Sequence, residues 1–134
     1  MMDKVNDDKH ASASHTPVFA NPYGYFDSKT GAFEITEVLT PRPWINVLAN
    51  GVYGVVLSQS GSGFSWADNC QLFRLNRWEQ DLVQDRYGRF FYVQDTEQPS
   101  ALWSTTYQPT CHRAEVDRVS HQLGATTFTR RFLD

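Results

Sequence analysis

Several features of membrane, secreted and nucleic-acid-binding proteins are missing from this sequence of 134 residues. No window approaches the roughly 20 apolar residues that a membrane-spanning helix requires. Residues 1–17 are polar and lack the apolar run of a signal peptide. With only Cys70 and Cys111 and no secretory signal, we expect reduced thiols in a cytoplasmic protein. The 12 basic and 15 acidic residues give a net charge of −3, which argues against binding to nucleic acid.

Motifs of metal binding and catalysis are also missing. The four histidines are scattered, the two cysteines are not paired at zinc-ligand spacing, and no Gly-x-Ser-x-Gly elbow occurs. The carboxylates of Glu79, Asp81 and Asp85 lie in one polar segment without a sign of an apolar pocket. Ion pairs with Arg77 or Arg86 in a solvated loop are therefore favoured over acid–base work on a glycosidic bond. We predict no catalytic residue, no cofactor and no metal ligand.

The stretch SQSGSGFSW, residues 58–66, is the nearest approach to a phosphate-binding loop. Gly61 and Gly63 are followed neither by the later glycine of a dinucleotide fingerprint nor by the Gly-Lys-Ser/Thr of a P-loop. Strand-like residues lie on both sides, and no helix is available to direct its N-terminus at a phosphate. Glycine tolerates a positive φ angle, so we predict a tight turn between two strands.

Short strands separated by glycine and proline turns are predicted for most of the chain. Residues 1–17 are expected to be a disordered polar tail, and residues 18–134 a β domain. Turns between strands are predicted at residues 28–31, 61–63, 96–100 and 123–124. Only residues 69–85 carry a partial helical stripe, and an irregular loop fits them equally well. The predicted fold class is an all-β antiparallel sandwich.

Aromatic residues make up 14% of the chain, and they carry the clearest functional signal. Each of the four tryptophans stands beside polar residues, and such rings stack on sugars while amides and carboxylates bind the hydroxyls. The candidate carbohydrate contacts are Trp44, Asn46, Trp66, Trp78, Gln80 and Asp81. For any single tryptophan, packing in the core of a sandwich is the alternative and is favoured, because large aromatic side chains dominate cores.

The order of these segments resembles the N-terminal region of glycoside hydrolase family 94, formerly glycosyltransferase family 36. The resemblance runs from Tyr23 to Gly124 and rests on the segments NPYGYFDSKTGAFEIT, TPRPWIN, YGVVLSQSGSGFSW, NRWEQDLVQDRYGRFFYVQD and LWSTTYQP. TPRPWIN and GSGFSW together are specific, whereas either alone is weak. The family includes cellobiose, cellodextrin and chitobiose phosphorylases and the related region of cyclic β-1,2-glucan synthases.

The resemblance implies a part of an enzyme without its catalytic residues. In such enzymes a mutarotase-like supersandwich of two sheets precedes an (α/α)₆ barrel, where an Asp acts as general acid and inorganic phosphate attacks the anomeric carbon with inversion. No barrel residue falls within residues 1–134, so we expect only the N-terminal part of the supersandwich. The implied partners are the downstream barrel, a β-linked gluco-oligosaccharide and a second subunit. Inorganic phosphate is then a co-substrate of the parent enzyme.

Two further interpretations stay open. The chain is either a free-standing carbohydrate-binding module, which would bind glucan alone, or an inactive remnant of a split gene. The downstream reading frame separates the enzyme-fragment interpretation from these two, because a helix-rich continuation would supply the barrel.

Overall fold

The structure is a computed structural model, and it describes residues 17–77, 79 and 83–132. Within these ranges the chain forms ten β-strands and no helix. The strands are β1 (Pro17–Asn21), β2 (Gly24–Asp27), β3 (Phe33–Ile35), β4 (Ile45–Ala49), β5 (Tyr53–Ser58), β6 (Gly63–Ala67), β7 (Tyr92–Gln94), β8 (Leu102–Ser104), β9 (Val116–Gln122) and β10 (Ala125–Arg131). All the strand pairs are antiparallel. The predicted all-β antiparallel fold is therefore confirmed.

The strands are arranged in three sheets. The first sheet has five strands in the order β1-β2-β3-β9-β10, the second has the order β4-β5-β6, and β7 and β8 form a separate ribbon. In the first sheet Phe33 of β3 lies opposite His121 of β9. This pairing joins an early and a late segment of the chain, and the second sheet and the ribbon are inserted between them.

The four turns predicted from the sequence are confirmed as hairpin connections. They join β2 to β3, β5 to β6, β7 to β8 and β9 to β10. In the segment that fitted either a helix or a loop, residues 69–77, 79 and 83–85 form turns and irregular backbone. The other residues of that segment, and the predicted tail before Pro17, lie outside the described residues.

The buried hydrophobic core is small and lies on one face of the first sheet. Ile35 and Val119 are partners on neighbouring strands, so their side chains share this face, and they are 0% and 2% exposed. Val38, in the loop after β3, completes the buried cluster. The partly buried side chains packed against it belong to Phe33, Trp44, Tyr107 and Phe128. Loop residues therefore cover this face of the sheet.

An ion pair with little exposure to solvent fixes β10 against the loops that follow β8. The guanidinium of Arg130 donates to the carboxylate of Asp117, and the two side chains are 6% and 11% exposed. Arg130 also donates to the backbone oxygens of Ser104, Thr106 and His112. A buried charge therefore has its donors directed at acceptors in three separate segments.

The turn between β5 and β6 comprises residues 58–62, which we call the serine turn. The backbone N–H of Ser58 donates to the oxygen of Ser62 at 2.9 Å and closes it. Gly61 and Gly63 have φ angles of +92° and +137°. A methyl group at Gly63 would lie 1.9 Å from the backbone oxygen of Val56. These glycines therefore supply both the conformation and the space that a tight turn needs.

The serine turn is buried, although its small polar residues are typical of exposed turns. Its interior holds backbone and hydroxyl groups that bond to three other segments. The hydroxyl of Ser60 donates to the carboxylate of Asp85 at 2.7 Å. The backbone oxygen of Ser60 accepts from the backbone N–H of Gln108. The N–H of Gln59 donates to the oxygen of Trp44. The turn thus ties the second sheet to loops before and after it.

Candidate functional site

The second sheet has two different faces, because successive side chains of a strand point to opposite sides. On β6, Ser65 lies on one face and Trp66 on the other. The strand register places further side chains beside each of them. We call one side the tryptophan face, with Ile45, Val47, Val56, Phe64 and Trp66. We call the other the serine face, with Tyr53, Val55, Leu57 and Ser65.

The tryptophan face is apolar, and the guanidinium of Arg74 lies 5.2 Å from the centre of its Phe64 ring. A methyl group at Gly54 would lie 2.1 Å from a ring carbon of Trp66, so the indole lies directly over this glycine. The rings of Trp66 and Phe64 have centroids 5.6 Å apart. Ile45 and Val47 are 55% and 54% exposed. The face therefore presents unburied aliphatic surface beside an aromatic pair.

A cleft of about 220 Å³ opens on the serine face, and we call it the serine-face cleft. Aliphatic residues Val55 and Leu57 of β5 contribute to its lining. Tyr53 and Phe91 add aromatic side chains that are 39% and 73% exposed. The polar side chains that line the cleft belong to Ser62, Ser65, Asn76 and Arg89.

Hydrogen bonds connect three of the polar side chains that line this cleft, those of Ser65, Asn76 and Arg89. The oxygen Oδ1 of Asn76 accepts from both the backbone N–H and the hydroxyl of Ser65, at 2.8 and 3.1 Å. The amide of Asn76 donates to the backbone oxygens of Gly63 and Arg77. Arg89 donates to the Ser65 hydroxyl. Because Ser65 is 2% exposed, the guanidinium is anchored to a buried group.

A second cleft, of about 410 Å³, lies where the first sheet meets β4, and we call it the aromatic cleft. Rings line it in a chain, with centroids 4.7 Å apart for Phe26 and Phe33 and 5.2 Å apart for Phe33 and Trp44. Trp44 also makes an edge contact with Tyr23. Further lining residues include Asn46, His121 and Gln122. The site combines aromatic surface with amide and imidazole groups.

The amide of Asn46 is engaged within the protein. Its nitrogen Nδ2 lies 2.9 Å from the oxygen of Gln122, 3.1 Å from that of Ala125 and 3.0 Å from the hydroxyl of Thr126. These acceptors belong to the β9–β10 hairpin. Asn46 therefore ties β4 of the second sheet to the first sheet, and its N–H donors are not free for a ligand.

His121 is a buried histidine with both ring nitrogens bonded. Its Nε2 lies 3.0 Å from the backbone oxygen of Trp44, which can only accept, so Nε2 carries the proton. Nδ1 then accepts from the Thr126 hydroxyl at 3.1 Å. Burial lowers the pKa of His121 below its ordinary value, and the bond to Trp44 opposes this shift. The neutral imidazole is thus the form that fits this site.

The predicted carbohydrate contacts are distributed over two sites. Trp44 and Asn46 line the aromatic cleft together, whereas Trp66 lies on the tryptophan face. The prediction also named Trp78, Gln80 and Asp81, which lie outside the described residues. None of these side chains lines the serine-face cleft as described.

The expectation of solvated ion pairs for the nearby carboxylates holds for Glu79 but not for Asp85. Glu79 pairs with Arg77 at 2.5 Å on an exposed surface, as predicted for a solvated loop. Asp85 instead accepts a hydrogen bond from Ser60 in the buried serine turn.

Sequence reasoning missed Arg89, Tyr53 and Asn76. The only available signal was a basic residue beside aromatic ones in YGRFFY, residues 87–92, and that pattern is common in strands. The contact of Arg89 with Ser65 depends on a loop that folds back over β6. Spacing along the chain does not predict such a contact.

Within residues 17–77, 79 and 83–132, no three His, Cys, Asp or Glu side chains are grouped so that they could hold a metal ion. Cys70 and Cys111 are exposed, and neither is in a disulfide. The described part of the chain also holds no helix long and apolar enough to cross a membrane.

The fold defines the class of the protein, an all-β antiparallel sandwich region with shallow clefts on its sheets. The family follows from comparison with known proteins, since the model of the glycosyl hydrolase 94 supersandwich domain matches residues 31–134. The chain therefore belongs to glycosyl hydrolase family 94, and the resemblance read from its motifs is confirmed.

Similar curated proteins are much longer than this chain. It is 35% identical over 107 residues to a 3-O-β-D-glucopyranosyl-β-D-glucuronide phosphorylase of Paenibacillus borealis. This match covers 80% of the chain and 13% of the relative. It is 32% identical to an N,N'-diacetylchitobiose phosphorylase of Vibrio furnissii, over 65% of the chain and 11% of the relative. It is 34% identical to the cyclic β-(1,2)-glucan synthase NdvB of Rhizobium meliloti, over 66% of the chain and 3% of the relative. The chain thus spans a small fraction of each.

Proposed function

We propose that this chain is a non-catalytic N-terminal part of the supersandwich of a β-glucoside phosphorylase or a related glucan-processing enzyme. It packs beside an (α/α)₆ barrel that carries the reaction and helps to hold a β-linked gluco-oligosaccharide. The parent enzyme uses inorganic phosphate as co-substrate and has a second subunit as partner. The names of the relatives support β-linked saccharides as the substrate class. The exposed free thiols of Cys70 and Cys111 support a cytoplasmic location.

The observation that carries this proposal is the exposed aliphatic surface of the tryptophan face. Ile45 and Val47 are more than half exposed next to the rings of Phe64 and Trp66. In a sandwich, such a face packs against a second sheet about 10 Å away. Further strands of a longer supersandwich would supply that sheet, which agrees with the 11% to 13% of the phosphorylase relatives that this chain covers.

The test measures self-association of the purified chain and its binding of the dye 8-anilinonaphthalene-1-sulfonate. We expect both, because exposed apolar surface drives association. The double substitution Ile45→Lys and Val47→Lys should reduce both signals. The matched control is Leu72→Lys, which adds a charge at a side chain that is 82% exposed but is not one of the side chains that form this face. A wild-type chain that is monodisperse, silent to the dye and cooperatively melting would contradict the proposal.

That contradicting result would favour a free-standing carbohydrate-binding module. The specific observation in favour of a module is the serine-face cleft, which combines aromatic and polar lining residues. A module should bind β-glucan without the rest of the enzyme. An inactive remnant of a split gene should show no binding, with or without the downstream sequence. Titration with cello-oligosaccharides and the downstream reading frame together separate these alternatives.

A further inference from the structure

We propose that the serine-face cleft binds a saccharide unit that carries a carboxylate, and that Arg89 is its anchor. The cleft lies on the side of the second sheet opposite the tryptophan face. The inference rests on the proposed function only in the choice of saccharides as the class of ligand. The cleft itself and its charge are properties of the described residues.

Arg89 has no ion-pair partner among the residues that the structure describes. Among the described residues, the ion pairs join Arg77 to Glu79, Arg113 to Glu37, Arg130 to Asp117 and Arg131 to Glu115. The bond of Arg89 goes instead to the hydroxyl of Ser65, which uses only part of its donor capacity. The remaining N–H groups of a positively charged side chain are therefore available at the edge of the cleft.

The polar neighbours of Arg89 have their bonding capacity occupied. Ser65 donates its hydroxyl proton to Asn76 and accepts from Arg89. Asn76 uses its oxygen for Ser65 and its amide for the oxygens of Gly63 and Arg77. These two side chains hold the guanidinium in place, and the donors left for a ligand among the described lining residues are the other N–H groups of Arg89 and the hydroxyl of Tyr53. A ligand that fits must therefore offer acceptor oxygens, and a carboxylate matches the planar fork of a guanidinium in two parallel bonds.

The remaining lining determines the rest of the ligand. Val55, Leu57, Tyr53 and Phe91 offer apolar and aromatic surface, and a pyranose ring has apolar C–H faces that pack on such surface. The volume of about 220 Å³ is below that of clefts for drug-sized ligands, so it fits one sugar ring. A phosphate ion would leave the apolar lining without contacts, and a neutral glucoside would leave the guanidinium without an opposite charge. A hexuronate unit satisfies both features.

The experiment compares methyl β-D-glucuronide with methyl β-D-glucoside by saturation-transfer difference NMR on the purified full chain. This method detects the ligand whatever the state of association of the protein. We expect the glucuronide to bind and the glucoside to bind at least tenfold more weakly, since a charged hydrogen bond contributes roughly a factor of ten or more. Salt at about 0.5 M should weaken glucuronide binding, because a partly exposed ion pair is screened.

Two substitutions decide whether Arg89 is the anchor. Arg89→Gln should lower glucuronide affinity by about tenfold or more. Arg86→Gln is the matched control, since it removes an exposed guanidinium nearby that does not line the cleft. Phe91→Ala should weaken binding without abolishing the preference for the charged sugar. Circular dichroism of each variant verifies that the fold is kept.

Several outcomes would overturn the inference. They are equal binding of glucuronide and glucoside, no binding of either sugar, and unchanged affinity in a folded Arg89→Gln variant. Displacement of the glucuronide by inorganic phosphate at similar concentration would show a simple anion site and would also overturn it. The outcome is separable from that of the proposed function, because association through the tryptophan face and binding in the cleft use opposite faces and different measurements.

Discussion

The indole ring of Trp66 lies over Gly54, its partner on the neighbouring strand. A Cβ atom at Gly54 would approach ring atoms to 2.1, 2.4 and 2.6 Å, all closer than van der Waals contact allows. The ring of Phe64, two residues earlier on the same strand, lies beside the indole with its centroid 5.6 Å away. The missing side chain of Gly54 therefore leaves space for a large ring on this face.

Gly54→Ala should destabilise the fold, because the new methyl group displaces the ring of Trp66. Overpacking of this kind costs about 1–3 kcal/mol. Chemical denaturation of both proteins measures the difference. In a Trp66→Ala background the same substitution should be nearly neutral, and a cost that persists there would show that the ring is not the cause.

The buried charge of Arg130 gives a second prediction. Arg130→Met should lower the free energy of unfolding by about 3–5 kcal/mol, because it leaves the Asp117 carboxylate and three backbone oxygens without their donor. Thermal melts at constant pH measure the loss.

Arg131→Met is the matched control on the same strand. Arg131 pairs with Glu115 at 3.0 Å, but the side chains are 68% and 40% exposed. Exposed pairs contribute at most about 1 kcal/mol, so this variant should remain close to wild type. Equal losses in the two variants would contradict the assignment of the cost to burial.

The hairpins were predictable from sequence because their signals are local. Glycine at a turn and alternating apolar residues on either side indicate β2–β3 and β9–β10 without knowledge of the rest of the fold. The opposite orientation of Ser65 and Trp66 also follows from the period of a strand. The pairing of β3 with β9 does not, since nothing near Phe33 specifies a partner so distant in the chain.

The burial of the serine turn and the set of residues that line the serine-face cleft both depend on tertiary structure. Ser58, Ser60 and Ser62 are typical of an exposed turn, yet they are buried because other loops converge on them. Arg89 likewise becomes a site residue only when its loop reaches Ser65. Asn46 was predicted to bind sugar from its type and neighbours, and its bonds to the β9–β10 hairpin are set by packing between sheets.

His121 should make stability depend on pH. Its folded pKa is lowered, so on acidification the unfolded state binds a proton before the folded state does. The stability gained from the neutral ring is present above the unfolded pKa of about 6.5 and is lost as pH falls through the lower folded pKa. Denaturation curves between about pH 7.5 and 5 measure this loss.

His121→Gln should flatten this pH dependence, because the amide side chain does not titrate. His112→Gln is the control, since His112 is exposed and its backbone oxygen, not its ring, contacts Arg130. The control should keep the wild-type slope. The same slope in all three proteins would show that another group is responsible.

Asn46→Asp should weaken the connection between the two sheets. A carboxylate has no N–H to donate to the backbone oxygens of Gln122 and Ala125, and two acceptors would then face each other at about 3 Å. We expect a loss of roughly 1–3 kcal/mol in the absence of any sugar. Denaturation without ligand measures it, and unchanged stability would restore Asn46 as a free sugar contact.

The last prediction concerns catalysis by this chain alone. Phosphorolysis requires a general acid tuned by its surroundings and donors that hold the phosphate. In the described part of the chain, no carboxylate lines the serine-face cleft or the aromatic cleft. Glu79 is exposed and paired with Arg77, and Asp85 accepts a hydrogen bond within the serine turn. Neither carboxylate stands where it would protonate a glycosidic oxygen.

Purified chain incubated with inorganic phosphate and cello-oligosaccharides or N,N'-diacetylchitobiose should therefore release no sugar 1-phosphate above background. A coupled enzymatic assay for the sugar phosphate measures this, with a complete phosphorylase as positive control. Turnover that survives repeated purification and is abolished by Glu79→Gln, Asp81→Asn or Asp85→Asn would contradict the prediction, because those substitutions remove the candidate acids. Turnover that persists in the triple variant, which lacks all three candidate acids, would indicate a contaminating enzyme, because none of these carboxyl groups could then protonate the leaving oxygen.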